Sequence, residues 1–191
     1  MTPEVLIVVA CGAAKRDRPA PAADLYTSTH FRFILAAARS EATETWRVCG
    51  QTADVAILSA LHGLLDLDQV IAPYDVKMGD PSAITVTPLA AQLAMRQPRE
   101  VVTLLPAAYR RILGAAIEMD SAAAITGITL TDAFENAPGI GYHRAVAASL
   151  LRTAGRLPDH PSTANERTPN ERLHRPVGDR RRRGRHGARR R

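Results

Sequence analysis

An apolar run at residues 55–58 stops abruptly at side chains that can do chemistry: Ser59, His62 and then Gly63. The unperturbed pKa of histidine lies near neutrality, so His62 is a candidate general acid or base. A histidine that only hydrogen-bonds the backbone at a strand-to-loop turn is the alternative. Ser59 lacks the glycine-flanked elbow of serine hydrolases, so we expect it to contact a ligand or to satisfy the strand end.

A second apolar run, residues 5–10, ends in the same way at Cys11 and Gly12, with Lys15 just beyond. A backbone turn after Cys11 could donate N–H groups to an anion, and Lys15 could hold a phosphate. The segment lacks the second glycine and the Gly-Lys-Ser/Thr ending of a phosphate-binding loop. A cysteine this close to the core is often a small buried apolar residue, and Lys15 could also belong to a solvated loop.

Two aspartates and two tyrosines complete the set of candidates. Asp75 could orient a histidine or activate water, and Asp24 could stabilise positive charge on a sugar, as cleavage of a glycosidic bond requires. Tyr26 and Tyr74 could stack on a base. The alternatives are an aspartate that braces a turn and tyrosines that pack loops onto the domain. The two cysteines show no paired spacing with histidines or acids, so we expect no metal and no cofactor.

The elements that must position these groups alternate between strand and helix. This order predicts an α/β fold, a three-layer sandwich around a mainly parallel central sheet. The predicted strands are residues 5–10, 54–59, 100–105 and 124–130, and the predicted helices are 30–45, 89–96, 106–119 and 142–153. A polar loop is expected over residues 66–81.

Ligands of open α/β sheets bind at the carboxyl ends of the strands. If the sheet is parallel, Cys11, Ser59 and His62 should therefore meet at one edge, together with Tyr109, which lies one helical turn beyond the end of the third strand. The loop carrying Tyr74 should reach the same edge.

The net charge of +6 is divided unevenly along the chain. Residues 156–191 hold twelve arginines and four acidic residues, a net +8, whereas residues 1–155 hold thirteen basic and fifteen acidic residues, a net −2. The sequence thus predicts an α/β domain over 1–155 and a disordered basic tail over 156–191. The tail is expected to bind polyanions without sequence preference, or to be only a solvated extension. Its densest arginines are Arg180, Arg181, Arg182, Arg183 and Arg185.

With only two cysteines and no apolar run of membrane-spanning length, the simplest expectation is a cytoplasmic protein without a membrane partner. The oligomeric state is left open.

The combined motifs resemble a bacterial and phage family of unknown function over roughly residues 5–150. They are Cys11-Gly12, Lys15, Asp24-Leu25-Tyr26, Ile57-Leu58-Ser59-Ala60, His62-Gly63-Leu64 and Pro73-Tyr74-Asp75. More remotely, the pattern is similar to the peroxide-stress protein YaaA family and to uracil-DNA-glycosylase-like domains. The resemblance implies an α/β fold that handles nucleobases, with the motif residues as its site. The apolar Leu61 departs from the pattern, where a lysine or similar polar residue is expected.

These observations predict a nucleobase N-glycosidase or base-exchange enzyme that acts on nucleic acid, DNA or RNA, or on nucleotides. In this hypothesis His62, Asp75 and Asp24 are catalytic, whereas Cys11, Gly12, Lys15, Tyr26, Ser59 and Tyr74 bind the substrate. The alternative is a non-catalytic nucleic-acid-binding protein of stress or phage context, in which the basic tail drives binding.

Overall fold

A computed structural model describes residues 3–123, 127–135 and 140–154. Within these ranges four main strands alternate with four main helices, as the sequence predicts, and three further strands and one short helix lie between them. The elements are β1 (Val5–Ala10), β2 (Ala20–Pro21), α1 (Ala22–Leu25), α2 (Thr29–Cys49), β3 (Ala53–Ser59), β4 (Gly63–Asp66), β5 (Val70–Ile71), α3 (Val86–Arg96), β6 (Glu100–Leu104), α4 (Ala107–Ala123), β7 (Thr129–Asp132) and α5 (Ile140–Ala154).

Five strands form the central sheet, in the order β4-β3-β1-β6-β7. The pairs β1–β3, β1–β6 and β6–β7 are parallel, and β3–β4 is antiparallel. The predicted mainly parallel sheet is therefore confirmed. Two short strands, β2 and β5, form a separate antiparallel pair.

Side chains of β1 point alternately into two apolar layers, because successive residues of a strand face opposite sides of a sheet. Ile7 and Val9 pack with α1, α2 and α5, whereas Leu6 and Val8 pack with α3 and α4. All four side chains are fully buried. Helices thus cover both faces of the sheet, which confirms the three-layer arrangement.

The observed helices are longer than the sequence predicts. Ser28 caps α2 by accepting a hydrogen bond from the Phe31 N–H at 3.2 Å, and α2 continues to an αL residue, Gly50. The capping of this helix by residue 27, 28 or 29 is confirmed. The loop expected over 66–81 contains the short strand β5.

The last strand differs from its prediction over residues 124–130. The structure describes β7 as Thr129–Asp132, after an irregular Gly127 and Ile128, while 124–126 lie outside the described residues. Glycine at 127 costs backbone entropy in a strand, and the pairing with β6 begins only at Thr129. The tail, residues 156–191, also lies outside the described residues.

None of the helices in the described ranges combines the length and the apolarity needed to cross a bilayer.

Candidate functional site

Four parallel strands deliver their last residues to one edge of the sheet, which we call the carboxyl edge. From β1 the chain moves to one side to form β3, and it later crosses to the other side to form β6. The carboxyl ends of β1 and β6 therefore border the point where the strand order reverses. In open α/β sheets this crevice is where ligands bind.

Three hydroxyl groups form a chain at this edge, which we call the hydroxyl chain: Ser59, Tyr74 and Tyr26. Ser59 Oγ lies 2.8 Å from the Tyr74 hydroxyl, which lies 2.8 Å from the Tyr26 hydroxyl. Ser59 and Tyr26 are fully buried, and Tyr74 is half-buried. The chain joins the end of β3 to two loops that are distant in sequence.

Hydrogen bonds from the backbone fix the direction of the hydroxyl chain. Ser59 Oγ accepts the N–H groups of Leu61 at 3.1 Å and His62 at 3.0 Å, which occupy both lone pairs of a serine oxygen. Ser59 must therefore donate its own hydrogen to Tyr74. The hydrogen bond between Tyr74 and Tyr26 uses the hydrogen of only one of the two hydroxyl groups. The other phenolic hydrogen remains for an acceptor outside the hydroxyl chain.

The tyrosines are held in their neutral, donating form. Burial raises the pKa of Tyr26 to about 12 and also raises the pKa of Tyr74, because desolvation disfavours the phenolate. The Lys15 ammonium lies 4.3 Å from the Tyr74 ring centroid and 5.8 Å from that of Tyr26, within the range of a cation–π contact. Lys15 also donates to the Ala13 carbonyl at 3.3 Å. This part of the edge thus presents hydrogen-bond donors and a positive charge.

His62 stands beside the hydroxyl chain, with its ring edge-on to the Tyr74 ring at a centroid distance of 5.2 Å. Burial lowers the pKa of its imidazole, which is therefore neutral at pH 7. A neutral imidazole has one nitrogen that can donate and one that can accept a proton. His62 can accordingly carry a proton to or from a ligand bound here.

Gln92 of α3 clamps the turn that carries His62. Its Nε2 donates to the His62 carbonyl at 2.8 Å, and its Oε1 accepts the Leu64 N–H at 2.7 Å. Gly63 between them has φ +75°, and a Cβ there would overlap Gln92 Oε1. Glycine is therefore required for this close approach.

A cavity of about 240 Å³ opens at the carboxyl ends of β1 and β6; we call it the edge cavity. Its lining combines aromatic rings, two imidazoles and a thiol. The lining residues are Ala10, Cys11, Gly12, Ala13, Ser28, His30, Phe31, Ile34, Leu104, Pro106, Phe134 and His143. None of the described residues that line it is acidic. The volume lies below the roughly 300–1,000 Å³ of sites for drug-sized ligands, so it suits a smaller group such as a single base.

Cys11 and Gly12 connect the edge cavity to the hydroxyl chain. Cys11 Sγ lies 3.3 Å from the Tyr109 hydroxyl at the start of α4. A Cβ on Gly12 would lie 3.2 Å from Tyr26 Cβ and 3.4 Å from Phe31 Cβ, so the backbone packs closely against both rings. The predicted meeting of Cys11, Ser59, His62 and Tyr109 at one edge agrees with this geometry.

Two predicted acids are placed differently from the rest. Asp24 and Asp75 are exposed, and neither carboxylate forms a hydrogen bond or ion pair within the described part of the chain. Asp75 follows Tyr74 directly, whereas Asp24 lines a separate cleft with three arginines. Their catalytic roles stay predictions. The tail arginines, Arg180–Arg183 and Arg185, lie outside the described residues.

His30 and His143 are not among the site residues that the sequence predicts, yet both line the edge cavity. His143 stacks on Phe134 with a ring-centroid distance of 4.0 Å and an interplanar angle of 3°. His30 Nδ1 is buried without a hydrogen-bond partner in the described structure. Burial, and then the positive charge of Arg144, lower the pKa of His30. No spacing in the sequence signals these contacts, because they arise from the packing of α5 on α2.

Over residues 3–123, 127–135 and 140–154, no group of three histidines, cysteines, aspartates or glutamates is placed to hold a metal ion.

Fold and site together define a three-layer α/β protein with a cavity at the switch point of its sheet and a group of hydrogen-bond donors beside it at the same edge. Residues 6–130 match the model of a family of unknown function, DUF6884. The match covers well over half of the chain, and the chain belongs to this family. No curated protein and no solved structure matches the chain.

Proposed function

We propose that the carboxyl-edge site binds a nucleobase and cleaves, or exchanges, its N-glycosidic bond. The observation that carries this proposal is the hydroxyl chain, which leaves one phenolic hydrogen for an outside acceptor. Because Tyr26 is fully buried, the half-buried Tyr74 is the tyrosine that can offer this hydrogen. Base carbonyl oxygens and ring nitrogens are such acceptors. The more remote similarity of the combined motif pattern to uracil-DNA-glycosylase-like domains is part of the same proposal.

The edge cavity supports a flat aromatic ligand. Phe31 and the stacked pair Phe134–His143 supply aromatic faces at its wall. Proteins hold unstacked bases by such faces, and each stacked base contributes about 1–3 kcal/mol. A cavity of about 240 Å³ admits one base, while the sugar remains near the opening.

Donors at the edge favour departure of the base. When the bond between C1′ of the sugar and the base nitrogen breaks, its electron pair passes to the base. Donors already aimed at that developing negative charge lower the barrier. Tyr74, Tyr26 and Lys15 supply donors and positive charge, and the neutral His62 moves a proton. A water, or an incoming base in an exchange, then bonds to C1′, and the proton of that nucleophile ends on the departing base.

Cleavage of a glycosidic bond also needs a carboxylate near the sugar. Asp75 is adjacent to Tyr74 in sequence and carries a free carboxylate in the described structure. We assign it the positioning of water and the stabilisation of positive charge on the sugar.

The test is chromatographic detection of free base from single- and double-stranded DNA, RNA, nucleosides and nucleotides. We expect release by the wild type, a loss of about 10²–10⁴-fold in His62→Ala and about 10²-fold in Tyr74→Phe. Thr43→Val, which removes an exposed hydroxyl bonded only to the Arg39 carbonyl of α2, is the matched control and should retain wild-type activity.

The absence of base release from every substrate would overturn the enzymatic proposal. Saturable binding of bases that His62→Ala and Tyr74→Phe weaken, without release, would instead identify a non-catalytic binding protein.

A further inference from the structure

A cleft of about 210 Å³ runs along the outer side of the first turns of α2, apart from the edge cavity. We call it the arginine cleft. Its lining consists of three arginines, one aspartate and small or apolar residues: Arg16, Ala23, Asp24, Arg32, Leu35, Ala36 and Arg39. The side chains give it an excess of two positive charges, although the domain as a whole is slightly acidic.

The charge of this cleft is not neutralised by the described residues. Among the described residues, the arginines that form ion pairs are Arg47, Arg96 and Arg110, and none of them lines the cleft. Arg32 and Arg39 are exposed and stand seven residues apart on α2, so they lie on one face at a separation of about 10 Å along the helix axis. Two guanidinium groups arranged in this way can each bind an anionic oxygen pair with fork geometry.

Arg16 is held at the cleft by the loop that also builds the site. Its Nε donates to the Asp24 carbonyl at 2.7 Å, and its N–H donates to the Leu25 carbonyl at 2.9 Å. The neighbouring Lys15 pairs with Tyr26 in a β-bridge and lies over the Tyr74 ring. Of two consecutive residues in this loop, Arg16 thus lines the cleft and Lys15 contacts the hydroxyl chain.

Helix α2 contributes residues to both the edge cavity and the arginine cleft. Phe31 and Ile34 line the edge cavity, whereas Arg32 and Leu35 line the arginine cleft. The two concavities therefore flank the first turns of one helix. A helix with its side chains is about 10–12 Å across, so we take the two concavities to lie within the span of a short stretch of one strand.

We propose that the arginine cleft binds backbone phosphates of a nucleic acid strand next to the target nucleotide, so that the substrate is a polynucleotide rather than a free base or nucleoside. This inference rests on the proposed function. Asp24 lies in the cleft as an opposing negative charge. It repels phosphate directly, and its removal should strengthen strand binding.

The test measures binding of a short single-stranded oligonucleotide by fluorescence anisotropy over a range of salt concentrations, with the full chain throughout. Arg32→Ala/Arg39→Ala removes two phosphate contacts and spares Arg16, whose hydrogen bonds hold the loop. We expect about tenfold weaker binding, with a slope of log affinity against log salt that is shallower by about 1.4. Asp24→Asn should bind severalfold more tightly.

The matched control is Arg99→Ala/Arg152→Ala, which removes the same charge from exposed side chains. Arg99 precedes β6 at the opposite edge of the sheet, and Arg152 lies in the last turn of α5. The control should bind within about twofold of the wild type, because phosphate contacts act locally. Residues 156–191 are present in every variant, so their contribution is the same in each.

Equal weakening by the two double variants, or no weakening by the cleft variant, would overturn the inference. So would weaker binding of a nucleoside triphosphate with unchanged binding of the oligonucleotide. Base release from the oligonucleotide and from a nucleoside, which has no phosphate, is measured in parallel for the wild type and the cleft variant. No release from any substrate by the wild type contradicts the proposed function. Release from the oligonucleotide that falls in the cleft variant together with strand binding supports both proposals, whereas equally efficient release from the nucleoside by the wild type overturns the inference alone.

Discussion

The side-chain amide of Gln92 donates a 2.8 Å hydrogen bond to the carbonyl of His62, and its oxygen accepts the N–H two residues further on. A residue of α3 therefore fixes the backbone of the turn that presents the imidazole. The site depends on this helix, although α3 contributes nothing to the lining of the edge cavity.

This clamp predicts non-additive stability effects at Gly63 and Gln92. Gly63→Ala should cost about 1–3 kcal/mol, because φ is +75° and the new Cβ overlaps the Gln92 side chain. Gln92→Ala should cost about 1–3 kcal/mol through the two unpaired backbone groups. In the double variant the overlap is gone, so its loss of stability should be about 1 kcal/mol smaller than the sum of the losses in the two single variants. Urea unfolding of the four proteins measures this coupling, and strictly additive costs would contradict the clamp.

Gly12 and Gly141 predict opposite responses to the same substitution. Gly12→Ala places a Cβ 3.2 Å from Tyr26 Cβ at a fully packed position, so we expect a loss of about 1–3 kcal/mol and weaker ligand binding. At Gly141, the second residue of α5, a Cβ meets no described atom within 4 Å, and alanine should stabilise the protein by about 0.5 kcal/mol. Thermal unfolding of the two variants tests the contrast. A neutral Gly12→Ala would mean that the loop after β1 is not pressed against the tyrosine.

The buried tyrosines predict a loss of stability in alkali. The pKa of Tyr26 is about 12 in the fold against 10.0 ordinarily, so the unfolded chain loses its proton first as the pH rises. The contribution of Tyr26 to the free energy of unfolding is therefore complete below pH 10. It falls by roughly 3 kcal/mol between about pH 10 and 12. Tyr74 and Tyr109 act in the same direction because burial raises their pKa values.

Tyr26→Phe should show a shallower decline over this range, because phenylalanine does not titrate. Denaturant unfolding at a series of pH values measures both slopes. A variant whose decline matches that of the wild type would show that Tyr26 ionises as easily in the fold as in the unfolded chain.

His62 predicts the acid limb of any base-release activity. Burial lowers the pKa of His62 from its ordinary 6.5, so the neutral imidazole is retained at pH 7 and is lost only as the pH falls below 6.5. Activity that needs the neutral form should fall in that lower range. Stability should fall with it, since the unfolded chain takes up the proton first.

His62→Gln keeps a polar group but cannot titrate. Its residual activity should therefore be flat across the same pH range. An acid limb that persists unchanged in His62→Gln would assign the titration to another group.

The predictable parts of the molecule are those that local pattern and strand direction determine. Aliphatic runs at residues 5–10 and 54–59 indicate buried strands, and the parallel arrangement then brings Cys11, Ser59 and His62 to one edge. The N-cap at Ser28 follows from its side-chain chemistry. None of these inferences needs knowledge of distant contacts.

The remaining parts depend on packing that no local pattern encodes. Gln92 contacts the His62 turn although the two residues are thirty positions apart in the sequence. Nothing in the sequence distinguishes Gln92 from the other polar residues of an amphipathic helix. The reversal at Gly63 sends β4 back along β3, a pairing set by the φ of one glycine. His143 enters the edge cavity only because α5 packs on α2.

The central claim is that a nucleobase occupies the edge cavity and receives the remaining phenolic hydrogen of the hydroxyl chain. A crystal structure of the protein with a bound nucleoside or a short oligonucleotide tests this most directly. We expect a base between Phe31 and the Phe134–His143 pair, with an acceptor atom within hydrogen-bond distance of the Tyr74 hydroxyl. A base bound elsewhere, or a cavity that stays empty at concentrations that saturate binding, would contradict it.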